Sequence, residues 1–433
     1  MNGTSLPGPH DIARRVLANG IVVLARENPH APSVVVAGSL NAGSIFDPPE
    51  RAGLAAFTAA ALLRGTLQRD FAAIHELLES NGASLTIGGG VHSTSFSGKS
   101  LAEDLPLLLD LLSDSLRNPS FEPVQVERLR GEIVTGLKIR EQDTRYVASR
   151  AFRTLAYSDG HPYGRPMGGT PQSVAAISRD DLVAFHRQHY DPRGMIVVVV
   201  GAVAPEEALD AVERALGDWT ADAAPAALLP VPGAPQLDRT RTEFVAMPGK
   251  SQTDLVLGVP GPSRLAPEWY AANLANHILG VFGMYGRIGA EVRERRGLAY
   301  YSYSRLDGGL GPGPWRVIAG VNPVHVEQTI AAIRAEIRRF LEAGPTSQEL
   351  ADSKANFIGR LPLQLEDNEG IAGAILSMER YGLGLDYLQR YASLIEAISE
   401  ADVLDAARRY LDPDRYALAV AGPALPDGGE EGV

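Results

Sequence analysis

Two pairs of residues in this 433-residue chain have types and spacings able to do chemistry. His186 and His189, in "HRQH", stand three apart, so on a helix they share a face and offer two imidazoles to one metal ion. No glutamate adjoins them and no third ligand is in view, which makes surface histidines the expected reading. Arg293 and Tyr300, in "GRIGAEVRERRGLAYYSYS", stand seven apart. From the residues alone, Arg293 is expected to pair with Glu291, Glu294 or a carboxylate elsewhere. Tyr300 then reads as a half-buried strand residue beside Tyr301 and Tyr303, with Arg295 and Arg296 on a solvated face. "GGGVHSTSFSGKS" ends in Gly-Lys-Ser but has Ser93 where a phosphate-binding loop needs its first glycine, so it reads as a strand with a glycine approach.

A third stretch is notable for chemistry it lacks. "DPPERAGLAAFTAAALLRGT" reads as a helix with Asp47 as cap, Pro48 at the first helical position, and Glu50 completing a capping-box-like start. Leu54, Phe57, Ala61 and Leu62 fall on one side, and Gly65 stops the helix. Alanine at 55, 56, 59, 60 and 61 favours the helix and supplies no donor, acceptor or charge.

The elements that position these residues follow from composition and pattern. With 45% hydrophobic and 21% charged residues the chain is globular, and its length suggests two to three domains. A net charge of -12 argues against a general nucleic-acid surface, and the absence of cysteine excludes disulfides and thiolate metal sites. The N-terminus lacks a basic start and apolar core, and the longest apolar runs are too short to span a bilayer, so a cytoplasmic protein is expected.

The chain repeats itself. "ISRDDLVAFHRQHYDPRGMIVVVVG" (177–201) and "ISEADVLDAARRYLDPDRYALAVAG" (398–422) match at a constant offset of 221 in Ile177/Ile398, Ser178/Ser399, Asp191/Asp412, Pro192/Pro413 and Gly201/Gly422. The second copy carries Ala407 and Tyr410 where the first has its histidines. Each copy is an amphipathic helix, an Asp-Pro turn and an apolar strand, and the offset is close to half the chain. We therefore expect two duplicated α+β domains, each an antiparallel-rich mixed sheet packed with helices, spanning 1–219 and 241–433. The Ala/Pro-rich 220–240 segment reads as a linker. Glycines 280, 283, 286 and 289 recur every third residue and point to flexible or closely approached backbone near Arg293 and Tyr300.

On these motifs the chain resembles the pitrilysin-type (M16) metallopeptidases. Active members carry an inverted zinc motif, H-x-x-E-H, between a Gly-Leu-Ala lead and a Gly-Thr. Two histidines four apart hold the metal there, and the glutamate activates its water. The resemblance puts the first histidine at Ala56, the glutamate at Ala59 and the second histidine at Ala60. A further carboxylate ligand falls on Gly136, with Glu132 one turn earlier. It also implies that Arg293 and Tyr300 bind substrate opposite a zinc site. Arginine suits a peptide carbonyl or carboxylate, and tyrosine donates to a developing oxyanion. The expectation is thus a non-catalytic subunit of a heterodimeric M16 peptidase, holding no cofactor itself and inactive alone. Its partner would be an H-x-x-E-H-bearing subunit with zinc, and its ligand a peptide. The alternatives are a structural scaffold like the core proteins of the bc1 complex, or a self-associating, homodimeric peptide-binding protein.

Overall fold

The computed structural model describes residues 6–157, 160–220 and 231–424. The chain forms two compact units, each built from three segments. The first comprises Met1–Gly136, Pro166–Leu229 and Arg360–Ala392; the second comprises Leu137–Arg165, Pro230–Gly359 and Ser393–Val433. The units therefore depart from the contiguous halves 1–219 and 241–433, because each half gives helical segments to the other. Of the segment read as a linker, residues 221–230 lie outside the described residues.

The first unit holds a six-stranded sheet of β1 (Ala13–Val16), β2 (Val22–Glu27), β3 (Ser33–Leu40), β4 (Ser84–Gly89), β5 (Thr94–Leu101) and β6 (Ile196–Gly201), in the order β1-β2-β6-β3-β5-β4. The second holds β7 (Arg241–Ala246), β8 (Thr253–Pro260), β9 (Ala299–Leu306), β10 (Pro314–Val321) and β11 (Ala417–Gly422), in the order β7-β11-β8-β10-β9. In each sheet one pair is parallel, β2 with β6 and β7 with β11, and every other pair is antiparallel. Strand for strand the sheets are copies, apart from the extra edge strand β1. The duplication read at an offset of 221 holds down to side-chain detail. Ser178 and Ser399 each cap a helix by accepting the N–H three residues on, and Asp181 and Asp402 return the bond.

The central strands explain the exchange of helices. Every residue of β8, β10 and β11 is buried, as are nearly all of β3 and β6. Such strands have two apolar faces and need cover on both. In the first unit one cover is the Asn368–Arg380 helix, which sets Ile371, Ala372, Ile375 and Met378 on Leu24, Val35, Ala37, Val198 and Val200. In the second unit the Thr144–Ala156 helix packs on β8, β11 and β7. Both begin at an aspartate whose carboxylate accepts an N–H three residues on, Asp143 from Tyr146 (2.7 Å) and Asp367 from Gly370 (2.7 Å).

The glycine-rich segment after the Trp269–Gly280 helix leaves helical geometry at Gly283, Met284, Tyr285 and Gly286. It is anchored by Arg287, which donates to Glu349 (2.6 Å) and to the Gly344 carbonyl (3.1 Å). Burial alone would raise the Glu349 pKa, but Arg287 and the Thr346 N–H and hydroxyl hold it down at about 2.

Ile375→Ala is expected to cost roughly 2–5 kcal/mol. Although residue 375 lies in the second half of the chain, hydrogen exchange should show the lost protection in β3 and β6 of the first. The Glu349 carboxylate, held at about 2 against an ordinary 4.5, contributes stability that is complete above pH 4.5 and lost as the pH falls toward 2. The stability gap between the parent chain and Glu349→Gln in urea titrations should therefore be open at neutral pH and close in acid.

Candidate functional site

In the first unit the alanine-rich helix runs from Leu54 to Ala61. Asp47 caps it, as the sequence implies, but from a distance: its buried carboxylate accepts the N–H groups of Gly53 and Ala55, both at 2.9 Å. The expected start at Pro48 and the box with Glu50 do not form. Pro49–Arg51 is a separate short turn, and Gly53 breaks the path with a φ of 96°. A side chain at Gly53 would also meet the backbone of Gly168 and Gly169 at 2.9 Å. The packing face is as read, with Leu54, Phe57, Ala61 and Leu62 buried.

The positions that the resemblance gives to metal ligands carry only methyl groups and hydrogen. Ala56 and Ala60, four residues apart, are both half-buried, Ala56 beside Gly89 of β4, while Ala59 is buried. Gly136 lies in the Pro123–Arg140 helix with nothing within 4 Å of where a Cβ would stand. Glu132 is engaged elsewhere: Arg64 binds it, Arg128 approaches at 3.4 Å, and its pKa is held below the usual carboxylate range, chiefly by Arg64. Among the described residues no group of three or more His, Asp or Glu is placed to hold a metal. These residues do not fit a zinc ion.

The histidine pair is not the surface feature expected from sequence. The His186 ring bonds the Leu116 carbonyl through Nε2 (2.8 Å) and stacks on Tyr190 at 4.7 Å. His189 is buried between Phe46 (4.4 Å) and Phe185 (4.5 Å), and burial brings its pKa down to about 4. Both are neutral packing groups, because the Arg179–His189 helix turns that face inward.

In the second unit Arg293 sits on a π-helical turn, Ala290–Arg295. Its expected partner is taken. Glu291, buried to 6% exposure, accepts from Arg295 (2.7 Å) and Arg296 (2.8 Å), so those two exposed arginines are tethered rather than simply solvated. Among the described residues no carboxylate stands within ion-pair distance of Arg293, whose guanidinium lies against Met284 Sδ.

Tyr300 is 81% exposed, not half-buried. The cause is a register shift between β9 and β10: Tyr301 faces Gly320 and Ala299 faces Val321, leaving Tyr300 as the extra residue of a bulge. Its neighbour Tyr301 is pinned. The Tyr301 hydroxyl donates to Asp254 of β8, and a side chain on the intervening Gly320 would meet the Tyr301 ring at 2.6 Å. Only glycine there lets the ring cross β10. Asp254, 1% exposed, also accepts from Thr144 Oγ1 and from Gln252 Nε2 (3.2 Å). Burial, reinforced by Asp254, pushes the Tyr301 phenol well above its ordinary pKa, so it remains a donor. Sequence reasoning passed over this clamp, although an aspartate inside the apolar run "TDLVLGVPG" was its signal.

Comparison with known proteins matches the arrangement. Residues 22–170 match the insulinase (peptidase family M16) model, and residues 176–357 match the model of the peptidase M16 inactive domain. A Streptomyces coelicolor chain named an uncharacterized zinc protease is 29% identical over 429 residues, covering 97% of this chain and 92% of that one. The beta subunit of the mitochondrial-processing peptidase of Lentinula edodes is 25% identical, covering 94% and 89%. The crystal structure of a peptidase M16 inactive domain from Pseudomonas fluorescens superposes with a TM-score of 0.88 at 26% identity, covering 96% of this chain and 98% of that one. The duplicated sheets and these matches agree: the chain belongs to the M16 peptidase family, as a member of inactive type.

Proposed function

We propose that the chain is the non-catalytic subunit of a heterodimeric M16-type zinc peptidase, giving substrate contacts to the zinc site of an H-x-x-E-H-bearing partner. One contrast carries this reading. The chain offers no ligand at Ala56, Ala60 or Gly136 and no base at Ala59, yet it presents Arg293 without a carboxylate partner and Tyr300 at 81% exposure. A scaffold needs neither an exposed phenol raised on a bulge nor a guanidinium that has no ion pair and rests on a half-exposed methionine. Support also comes from a relative named as a peptidase subunit.

In this reading Arg293 orients a peptide carbonyl or carboxylate with its fixed fork of donors. Tyr300 donates its hydroxyl proton in a hydrogen bond to the peptide oxygen on which charge develops, so its contribution is made in the transition state. Zinc, held by the partner, supplies the activated water.

Peptide hydrolysis tests the proposal, with this chain alone, a genomic neighbour bearing H-x-x-E-H alone, and the two mixed. Activity is expected in the mixture only. Tyr300→Phe should lower kcat by about 10²-fold or more and Arg293→Ala should lower kcat/KM comparably, the scale for removing a transition-state donor. A mixture indifferent to both substitutions would leave a scaffold, and peptide binding by a homodimer with no active mixture would leave a self-associating binder. Metal analysis is a separate check: after dialysis against zinc the isolated chain should retain none in stoichiometric amount, and bound zinc would overturn the assignment of Ala56, Ala59 and Ala60.

A further inference from the structure

Arg145 is the second residue of the Thr144–Ala156 helix and is exposed. A cation in the first turn opposes the helix dipole and disfavours the helix, so helix stability does not account for it. No carboxylate among the described residues lies within ion-pair distance of it. The nearest acids are engaged: Asp143 caps the helix by accepting from Tyr146 N–H (2.7 Å), and buried Asp254 is taken by Tyr301, Thr144 and Gln252. What Arg145 does touch is aromatic, its guanidinium carbon standing 5.8 Å from the Tyr301 ring centre.

From Tyr301 a continuous surface leads to Arg293. Tyr301 and Tyr303 have ring centres 6.0 Å apart, and Tyr303 and Tyr285 are likewise 6.0 Å apart. Tyr285 is 37% exposed and the adjoining Met284, which meets Arg293, is 56% exposed. The second unit thus carries a strip of half-open tyrosines with an unpaired arginine at each end. Tyrosines offer contact area with little rotamer entropy to lose, and a free guanidinium selects a carboxylate by paired donors.

We infer that this strip binds an acidic peptide segment, with Arg145 taking a glutamate or aspartate side chain while the tyrosines hold the neighbouring residues. The inference rests on the peptide-binding role proposed above and adds the chemical class of peptide. In a chain of net charge -12, long-range attraction does not draw in an anion, so preference for an acidic residue has to come from a local contact of this kind.

The test is fluorescence anisotropy of labelled peptides on the full-length chain. One tyrosine- and alanine-rich decapeptide frame is used, with glutamate moved through every position and a glutamine twin for each. At one or two positions the glutamate peptide should bind about tenfold more tightly than its twin, equivalent to about 1.4 kcal/mol. Arg145→Gln should abolish that preference while leaving the affinity for the twins, Arg145→Lys should keep part of it, and Arg338→Gln, far along the chain and paired with Asp414, should keep all of it. Equal binding of all twins, a preference that survives Arg145→Gln, or no binding of any peptide overturns the inference. Hydrolysis by the reconstituted mixture reads Arg293 and Tyr300 rather than peptide charge, so loss of the acidic preference with that activity intact removes this inference alone.

Discussion

The central strands of both sheets are buried on both faces, and that constraint orders everything else. A strand such as β8 or β11, buried along its whole length, exposes no polar face to water and must be sandwiched. Each half of the chain meets the requirement with a helix from the other half. The Asn368–Arg380 helix covers β3 and β6, and the Thr144–Ala156 helix covers β8 and β11. Duplication alone would give two separate domains; the exchange makes each core depend on residues more than a hundred positions away.

The exchange also reaches the candidate site. Thr144, carried in on the exchanged helix, donates to Asp254, the buried carboxylate that takes the Tyr301 hydroxyl across Gly320. A buried carboxylate is tolerable only with such donors, and here three side chains supply them. The same clamp fixes β9 one residue from the bulge that turns Tyr300 outward. Nearby, Tyr285 has a φ of 74°, a conformation unusual for a side-chain-bearing residue and costing on the order of 1–3 kcal/mol. Irregular backbone thus gathers where Arg293 and Tyr300 are presented, while the strands behind them are regular.

The first unit shows the opposite balance. Its Leu54–Ala61 helix has an aspartate cap and a buried apolar face, and the alanines at 56, 59 and 60 carry no penalty in helix propensity. Ala56 and Ala60 lie on its half-buried side.

Much of this was legible in the chain itself. The matched Ser178/Ser399 and Asp-Pro pairs, with the apolar runs that follow, marked the duplicated helix–strand units ending in β6 and β11; these are local patterns of period and residue type. Long-range packing decided the rest. It turned His186 and His189 inward, gave Glu291 to Arg295 and Arg296 instead of Arg293, and moved two helices to the opposite sheets. Tyr300 is exposed because β9 and β10 differ by one residue in register, and register is a property of two strands that neither sequence carries by itself.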